Sequence, residues 1–211
     1  MQIHTVPVSD GIETNAYFYI DETSKHGFLI DPAAEPQKLL KLIKDNNWII
    51  EKMLITHGHF DHIGAVETLH KQLGIPYYIH ENGKDYLSNP ALNLSSYFGD
   101  SIALNQAEFL KENDIMTLEE NPQTKLKVIH TPGHTQDSVL FYDEQNDLAF
   151  VGDTIFKASI GRTDFPGGNT QQLKNSIESK IFSLPDNTVL YSGHSDSTTV
   201  ATEKKNFKFF F

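Results

Sequence analysis

A histidine-rich segment directly after a hydrophobic run is the feature that most restricts how this chain folds. Residues 49–55 predict a buried strand, and His57, His59, Asp61 and His62 follow it closely. His57 and His59 are two residues apart, so an extended backbone points both side chains to the same side. Asp61 continues that alternation, and His62 begins a predicted helix. Imidazole and carboxylate groups together favour zinc, iron or manganese, so the sequence predicts a metal site at this strand end.

Three more candidate metal ligands follow predicted strands further along the chain. They are His134, Asp153 and His194, and each of the last two directly follows a glycine that itself follows a strand; His134 is also preceded by a glycine. A glycine at this place allows the tight turn that presents the next side chain at the end of the sheet. The repeated pattern predicts that these side chains join the first cluster.

The order of the predicted elements favours an α/β fold. Strands are predicted at residues 16–20, 27–30, 49–55, 77–79, 125–130, 138–142, 148–151 and 189–191, and helices at 36–43, 63–73 and 170–180. This order appears in both halves of the chain, and two sheets packed face to face with helices outside would satisfy it. Residues 85–115 break the periodicity and predict an inserted loop with one or two helical turns.

Composition excludes several classes of protein. The 211 residues include 17 basic and 28 acidic side chains, which gives a net charge of −11, and no cysteine. The missing cysteines exclude a Cys-ligated metal site and a thiol nucleophile, and the acidic balance argues against a nucleic-acid partner. No apolar run is long enough to span a membrane. The first residues do not resemble a secretory signal, so we expect a cytoplasmic protein with a single domain over 1–211.

The metal-binding motifs resemble those of the metallo-β-lactamase superfamily. The array from His57 to His62, the segment Thr131–Thr135, the Gly-Asp-Thr at 152–154 and the Gly-His at 193–194 occur in the order and spacing of that family. The resemblance covers nearly the whole chain. The stretch Gly-Arg-Thr-Asp-Phe-Pro at 161–166 is similar to the glyoxalase II (hydroxyacylglutathione hydrolase) branch, particularly its short bacterial members.

The resemblance implies a four-layer αββα sandwich with two divalent metal ions, Zn²⁺ by preference and Fe or Mn as alternatives. It implies a first ion held by His57, His59 and His134, a second held by Asp61, His62 and His194, and Asp153 bridging both. A hydroxide shared by the two ions would attack a thioester carbonyl, and the ions would stabilise the oxyanion. Asp61 would also orient the nucleophile or accept its proton.

The expected substrate is a small hydroxyacyl thioester of glutathione or of another low-molecular-weight thiol; the sequence does not fix which one. Arg162 matches the position where family members place a basic residue near the substrate's carboxylate, although it is equally placed to pair with Asp164. Lys157 is a further candidate substrate-binding residue. Tyr97 and Phe98, in the insertion, are candidates to cap the pocket. The oligomeric state is not predicted.

Mononuclear iron persulfide dioxygenases are the main alternative, since they resemble this chain even through residues 161–165. Their single iron would be held here by His57, His134 and Asp153. The Gly-His at 193–194 resembles the hydrolases, whereas the dioxygenases tend to carry Ala-His-Asp there. A β-lactamase is less consistent with the absence of cysteine and of a signal, and a nuclease with the acidic charge. A non-enzymatic scaffold is disfavoured because all seven ligands are present.

Two regions depart from the family pattern. The usual Pro-Gly-His-Gly reads Ser-Gly-His-Ser at 192–195, and residues 195–211 leave no room for the C-terminal helical domain of full-length glyoxalase II. The basic, aromatic tail at 204–211 is predicted to pack its phenylalanines on the core, with a lid or a dimer surface as the alternative. Among the other histidines, His4, His26, His70 and His80 are expected to be structural or solvent-facing; for His80, which follows a predicted strand, support of the metal ligands is the alternative.

Overall fold

A computed structural model describes residues 1–210 and contains two mixed β-sheets. The strands are β1 (Gln2–Ser9), β2 (Glu13–Ile20), β3 (His26–Ile30), β4 (Ile49–Leu54), β5 (Tyr77–His80), β6 (Glu108–Leu110), β7 (Ile115–Thr117), β8 (Lys125–His130), β9 (Val139–Asp143), β10 (Leu148–Gly152), β11 (Ile155–Phe156), β12 (Ser159–Ile160), β13 (Val189–Ser192) and β14 (Thr198–Thr199). The α-helices are α1 (Pro36–Asp45), α2 (Phe60–Ile63), α3 (Val66–Leu73), α4 (Lys84–Ser88), α5 (Ser95–Phe98), α6 (Thr170–Ser176) and α7 (Val200–Asn206).

Each half of the chain forms one six-stranded sheet. The first sheet has the order β1-β2-β3-β4-β5-β6, antiparallel from β1 to β3 and parallel from β3 to β6. The second has the order β14-β13-β10-β9-β8-β7, in which only β10 and β13 run parallel. Strands β11 and β12 form a separate small hairpin.

The alternation of side chains along β2 separates two layers of the core. Ala16, Phe18 and Ile20 are fully buried in a cluster with residues of α1 and α3. Tyr17 and Tyr19 point the other way and pack against β8, β9 and β10 of the second sheet. Successive residues of a strand face opposite sides of its sheet, so one apolar strand contributes side chains to both layers of the core.

The second sheet repeats this arrangement and completes the sandwich. Phe141 and Phe150 face the first sheet, whereas Leu140 packs against Leu173 of α6 and Ile177 of the π-helical segment that continues it. Helices therefore cover the outer face of each sheet, and the two inner faces share one apolar layer. The predicted α/β sandwich with αββα layering is confirmed.

Side chains of β2 cross the sandwich and hold a loop of the second sheet. The Tyr17 hydroxyl donates to the Ser192 carbonyl at 2.6 Å. The Asn15 amide nitrogen Nδ2 donates to the carbonyls of Ser192 and Ser195 at 3.1 and 3.0 Å, and the Asn15 N–H donates to Gly193 O at 2.7 Å. The loop that carries His194 is therefore fixed to the first sheet.

Several elements differ from the sequence expectations. The helix predicted at 63–73 is split into α2 and α3 around Gly64, where a Cβ would overlap the Ala33 carbonyl. Within 85–115 the structure has α4, α5 and β6, the last paired with β5. Strand β1 was not predicted; it is an edge strand in which only Val8 is fully buried, so its apolar pattern is weak.

The tail after β14 forms α7 and a short 3-10 turn. Phe207 packs edge-on against Phe182 at 4.9 Å between ring centroids, next to the outer core of the second sheet, while Phe209 is 77% exposed. The prediction that the phenylalanines of the tail pack on the core is therefore confirmed for Phe207 and wrong for Phe209. Phe211 lies outside the described residues. No helix within residues 1–210 combines the length and apolar character needed to cross a membrane.

Candidate metal centre

The seven predicted ligands come together at one edge of the sandwich. The segment from His57 to His62 follows β4 of the first sheet, and the other three ligands follow β8, β10 and β13 of the second. Three sets of side chains each place their ligand atoms within 4.8 Å of one another. They are His57–His59–His134, called the first group below, Asp61–His62–His194, called the second group, and His57–His62–Asp153. Both sheets therefore contribute to the same site.

Three ring nitrogens converge in the first group. His59 Nδ1 lies 3.1 Å from His57 Nε2 and 3.0 Å from His134 Nε2. All three side chains are buried, with at most 3% of the residue exposed. Each neutral imidazole has only one N–H donor, so three converging ring nitrogens cannot all form hydrogen bonds with one another. A cation at the point of convergence would use their lone pairs.

Asp153 lies between the first group and the second. Its Oδ1 is 3.4 Å from His62 Nε2, and its Oδ2 is 3.2 Å from His194 Nε2 and 3.7 Å from His134 Nε2. Asp61 Oδ2 reaches the same His194 nitrogen at 3.3 Å. One carboxylate thus contacts histidines of both groups, which is the position that a bridging ligand requires.

The outer ring nitrogens of four histidines are held by hydrogen bonds, which leaves the inner nitrogens for a ligand. Acceptors on the outside of a metal-binding histidine fix its tautomer and its orientation. The pairs are His57 Nδ1 with Thr56 Oγ1 (3.2 Å), His62 Nδ1 with Asp31 Oδ2 (2.9 Å), His134 Nδ1 with Arg162 O (2.7 Å) and His194 Nδ1 with Glu13 O (2.7 Å).

Buried atoms without hydrogen-bond partners test whether a metal fits here. His62 Nε2 and Asp153 Oδ1 are buried and have no hydrogen-bond partner. His59 Nε2 also lacks a partner, but it is the ring nitrogen other than the converging Nδ1. Such atoms are rare in folded proteins and cost free energy unless an ion or a water satisfies them. The orphaned atoms of His62 and Asp153 face each other inside the cluster, so this histidine and aspartate site fits divalent metal ions. The assignment of each residue to a first or second ion remains a prediction.

Burial keeps the histidines of the first group neutral. It lowers the pKa of His57 well below the usual range and the pKa of His59 to about 3, and neighbouring histidines reinforce both effects. Burial also lowers the pKa of His134, although Asp153 acts in the opposite direction. Metal ions bind neutral imidazole, so these three side chains are in the protonation state of ligands near neutral pH.

The carboxylates reverse this effect in the second group. Burial would lower the pKa of His62, but the charges of Asp153 and Asp31 outweigh it and raise the pKa well above the usual range. The pKa of His194 rises to about 10, because hydrogen bonds to Asp153 and Asp61 exceed the effect of burial. The pKa of Asp153 is lowered well below its usual value by His62 and His194, against the opposing effect of burial. Without metal, protons balance the carboxylates, and a metal ion must displace them.

Asp31 is a supporting residue that sequence reasoning missed. It is 2% exposed, and its carboxylate accepts from Thr56 N at 2.7 Å, from Thr56 Oγ1 at 2.6 Å and from His62 Nδ1 at 2.9 Å. It therefore orients two residues of the histidine-rich segment at once. The signal was available, since Asp31 follows a predicted strand directly, as the proposed ligands do.

Asp137 supports the same segment from the second sheet and was also missed. Its Oδ2 accepts the N–H of Gly58, between two proposed ligands, at 2.8 Å. The side chain is fully buried, and burial raises the pKa of Asp137 to about 6. Nothing in the sequence placed residue 137 near residue 58, because that contact depends on how the two sheets pack.

Two of the motif glycines are required by close approach. A Cβ on Gly193 would overlap Asp153 Oδ1 and lie 2.7 Å from His62 Cε1. Gly152 has φ +50, and a Cβ there would overlap Thr56 Oγ1. The glycines that precede His194 and Asp153 thus let the ligand loops pack against each other.

A cleft of about 420 Å³ opens directly onto the proposed ligands, five of which line it. Arg162 also lines it, as predicted, and its Nε and Nη2 donate to both carboxylate oxygens of Asp164 at 2.7 Å. Lys157 is not among the lining residues; its Nζ lies 3.0 Å from Asp196 instead. Phe98 lines the cleft, and its neighbour Tyr97 does not.

The other predicted structural histidines bond elsewhere. His4 contacts Glu22, His26 contacts Glu51, and His70 contacts the Ile75 carbonyl. His80 stacks on His130 with ring centroids 4.0 Å apart, rather than bonding to a proposed ligand. The stacked pair agrees with the expectation that His80 is structural, and not with the alternative that it supports the metal ligands.

Comparison with known protein families gives a match over most of the chain. Residues 10–194 match the model of the metallo-β-lactamase superfamily. The chain is 38% identical to the probable metallo-hydrolase YqgX of Bacillus subtilis over 205 aligned residues. The alignment covers 97% of this chain and 95% of that protein. The chain is 30% identical over 213 residues to the hydroxyacylglutathione hydrolase GloC of Haemophilus influenzae, covering 99% and 98%.

Solved structures are similar over the same extent. The BLEG-1 B3 metallo-β-lactamase has a TM-score of 0.90 and 36% identity, covering 97% of both chains. TTHA1623, solved in a di-iron-bound form, has a TM-score of 0.84 and 34% identity, covering 96% and 98%. ETHE1 from Myxococcus xanthus has a TM-score of 0.78 and 28% identity, covering 98% and 83%. Fold, site and relatives agree: this chain belongs to the metallo-β-lactamase superfamily, and it has the metal-binding side chains and the relatives of a metal-dependent hydrolase.

Proposed function

We propose that this protein is a dinuclear metal-dependent hydrolase of small hydroxyacyl thioesters. The observation that carries the proposal is the position of Asp153, whose carboxylate contacts histidines of two ligand groups. Two further observations support the thioester. The stretch at 161–166 resembles glyoxalase II, and the chain is 30% identical to a hydroxyacylglutathione hydrolase along almost its whole length.

In this proposal the two ions have separate ligands and one shared ligand. The first would be held by His57, His59 and His134, the second by Asp61, His62 and His194, and both by Asp153. When bound, a pair of divalent ions makes water acidic enough to react near neutral pH and polarises a carbonyl group. Zn²⁺ suits this donor set, and so do Fe and Mn.

Asp61 is the proposed catalytic side chain. It lines the cleft, and its carboxylate lies 3.3 Å from His194 Nε2. Burial acts to raise the pKa of Asp61, but the hydrogen bond with His194 and the charge of His62 outweigh it and lower the pKa. The ionised carboxylate accepts a hydrogen bond from the attacking water, so it orients that water toward the carbonyl and accepts its proton. The thiolate leaves with little acid assistance.

Elemental analysis followed by a thioester assay tests the proposal. Protein purified without chelator or affinity tag is expected to hold close to two equivalents of zinc, or of zinc, iron and manganese together, and to hydrolyse S-lactoylglutathione. A β-lactam belongs in the same panel because of the similarity to BLEG-1, and we expect slower turnover of it. Failure of the fully metal-loaded protein on every thioester would refute the proposal.

A mononuclear iron persulfide dioxygenase is the second candidate. Two observations favour it. Residues 161–165 resemble those of the dioxygenases, and Asp153 lies near both other ligands of their single iron: it shares a ligand set with His57, and its Oδ2 is 3.7 Å from His134 Nε2. The hydrolase is preferred because Asp61, His62 and His194 form a further complete ligand group. One equivalent of iron, together with oxygen consumption on glutathione persulfide, would reverse this preference.

A further inference from the structure

We propose that the cleft beside the metal centre is an acyl-binding site that selects thioesters with an uncharged, apolar acyl group. The proposal rests on the proposed thioester hydrolysis and specifies the acyl group: the cleft recognises its hydrocarbon part, whether or not the acyl group also carries a hydroxyl. The cleft has a volume of about 420 Å³, which suits a small ligand. Away from the proposed metal ligands, its wall is formed mainly by apolar side chains: Ile12, Phe60, Leu94, Phe98, Phe156, Ile160 and Phe165.

The cation of the cleft is already paired. Among the lining residues within 1–210, Arg162 is the one lysine or arginine, and both its Nε and Nη2 bond to Asp164. Its guanidinium also lies over the Phe165 ring, 3.8 Å from the centroid. A substrate carboxylate at Arg162 would replace one carboxylate by another at an exposed site, which gains little free energy. Selection for an anionic group is therefore weak.

Phe98 is the apolar residue best placed to contact an acyl chain. Its ring stacks on Phe60 with centroids 4.9 Å apart and planes 11° apart, yet the residue is 55% exposed. It lies on α5, in the segment 85–115 whose role the sequence left open. An acyl group in the cleft would cover this ring and remove its apolar surface from water, which favours binding.

The acyl group, rather than the thiol, is assigned to the cleft because of its chemistry. Glutathione and other common carrier thiols have charged or amide groups along their length, and such groups lose hydrogen bonds to water on an apolar wall. Beyond its carbonyl, the acyl group of a thioester can be a plain hydrocarbon chain. A separate pocket shares His194 and is lined mainly by polar side chains, including Glu13, Asn15, Ser195, Asp196 and Ser197. The polar groups of an uncharged thiol lose fewer hydrogen bonds there than on the apolar wall.

The first experiment varies the acyl group on one neutral thiol, N-acetylcysteamine, with metal-loaded protein. We expect kcat/KM to rise about tenfold for each two methylene groups added from acetyl to butyryl to hexanoyl. The succinyl thioester should be at least tenfold slower than the butyryl thioester. Equal rates for acetyl and hexanoyl, or a preference for succinyl, would overturn the proposal.

Matched variants identify the wall responsible. Phe98→Ala should lower the ratio of hexanoyl to acetyl kcat/KM at least fivefold, whereas Tyr97→Ala on the same helix should leave it within twofold. Tyr97 is a suitable control because it is 69% exposed and does not line the cleft. Asp164→Asn frees the Arg162 guanidinium and should raise the ratio of succinyl to butyryl activity about fivefold. An unchanged ratio in Phe98→Ala contradicts the proposal.

Binding of unreactive analogues separates this proposal from the proposed function. Ketones in which a methylene replaces the thioester sulfur are titrated calorimetrically into the metal-loaded protein. Tighter binding of the hexanoyl analogue than of the acetyl and succinyl analogues supports the acyl site even when no thioester is hydrolysed; in that case only the proposed function fails. Equal affinities for the three analogues overturn the acyl site even when thioesters are hydrolysed.

Discussion

Two clusters of histidines lie at or near strand ends in this protein and use their ring nitrogens differently. In the candidate metal centre the rings meet edge to face, their outer nitrogens bond to the protein, and their inner nitrogens converge. In the other cluster, a stacked pair, the rings of His80 and His130 are nearly parallel, with 11° between their planes. There the nitrogens bond to the backbone: His80 Nδ1 accepts from Asn82 N, and His130 Nε2 contacts Gln136 O at 2.8 Å.

The difference shows what distinguishes a metal centre from a pair of packed histidines. The metal centre has the carboxylates of Asp61 and Asp153 among its rings, with buried atoms that lack hydrogen-bond partners. Beside the stacked pair, the carboxylate of Glu112 is paired with Lys180 at 2.6 Å. Histidines alone do not make the site; a carboxylate among them and orphaned inner atoms do. Four measurements test this contrast.

The largest effect is expected from Asp153→Ala. Removing the carboxylate shared by both ligand groups should lower kcat/KM at least a thousandfold and reduce the bound metal, while circular dichroism shows that the fold remains. Steady-state kinetics and elemental analysis measure both. In the matched control, His80→Phe, activity and metal content should stay within threefold of wild type. Near-normal turnover by Asp153→Ala, or loss of a metal equivalent in the control, would break the contrast.

Asp31→Asn should weaken metal binding about 10- to 100-fold, which is the usual effect of losing a partner that orients a ligand. The variant keeps an oxygen to accept from Thr56 and removes the charge that helps to raise the pKa of His62. Titration against a competing chelator measures the affinity, and excess metal should restore the activity. The exposed Asp45→Asn is the control. An affinity equal to wild type would show that Asp31 does not orient His62.

Metal binding should release protons, and its apparent affinity should rise with pH. In the metal-free site the pKa of His194 is raised to about 10 by its carboxylate partners, so this ring is charged at neutral pH and must lose a proton to bind an ion. The apparent affinity therefore increases by about tenfold per pH unit for each proton displaced. Calorimetry in buffers of different ionisation enthalpy counts these protons. Binding without proton release would contradict the proposed protonation of the second group.

The smallest effect concerns the stacked pair and appears in stability. Burial, reinforced by His130, lowers the pKa of His80 to about 4, whereas an unfolded chain titrates near 6.5. Between these values only the unfolded state binds the proton, so this residue lowers the free energy of unfolding as the pH falls from 7 to 5. The expected loss is about 1 to 2 kcal/mol.

His80→Phe keeps a ring in the stack and removes this proton. Urea denaturation at pH 7 and at pH 5 should show that the variant loses less stability than wild type over this interval. Equal losses in both proteins would mean that His80 is protonated in the folded state. The metal centre titrates in both proteins alike, so it cancels from the difference.

The sequence predicted most of what local pattern can encode. Four of the proposed ligands lie within the six residues from His57 to His62, so their spacing alone points to a metal. The strands β2 to β5 and β8 to β10 have strong apolar signals. Asp137 was missed for a different reason. Its role depends on a hydrogen bond to Gly58, 79 positions away, and no local pattern records such a contact. Asp31 directly follows a predicted strand, so its position was recognisable, but its partner Thr56 lies 25 residues further along the chain.

The cleft was the least predictable part of the site. Arg162 and Phe98 were candidates to contact the substrate or cap the pocket, and both line the cleft, whereas Lys157 pairs with Asp196 outside it. The segments around Ile12 and Phe165 supply further parts of the apolar wall and were not predicted. Side chains on a wall of this kind share no spacing along the chain, since loops from both sheets supply them. The helix break at Gly64 was hidden for a similar reason, because it results from the approach of the Ala33 carbonyl.

The division of the ligands between the two sheets has a consequence for how this protein is studied. An ion held by His57 and His59 from one sheet and by His134 from the other acts as a removable cross-link across the sandwich. A metal that binds the folded chain but not the unfolded chain stabilises the protein. At a metal concentration well above the dissociation constant, this stabilisation grows with the logarithm of their ratio and raises the melting temperature. A thermal-shift screen across zinc, iron and manganese would therefore rank the metals before any substrate is known, and it would do so with unlabelled protein in a single plate.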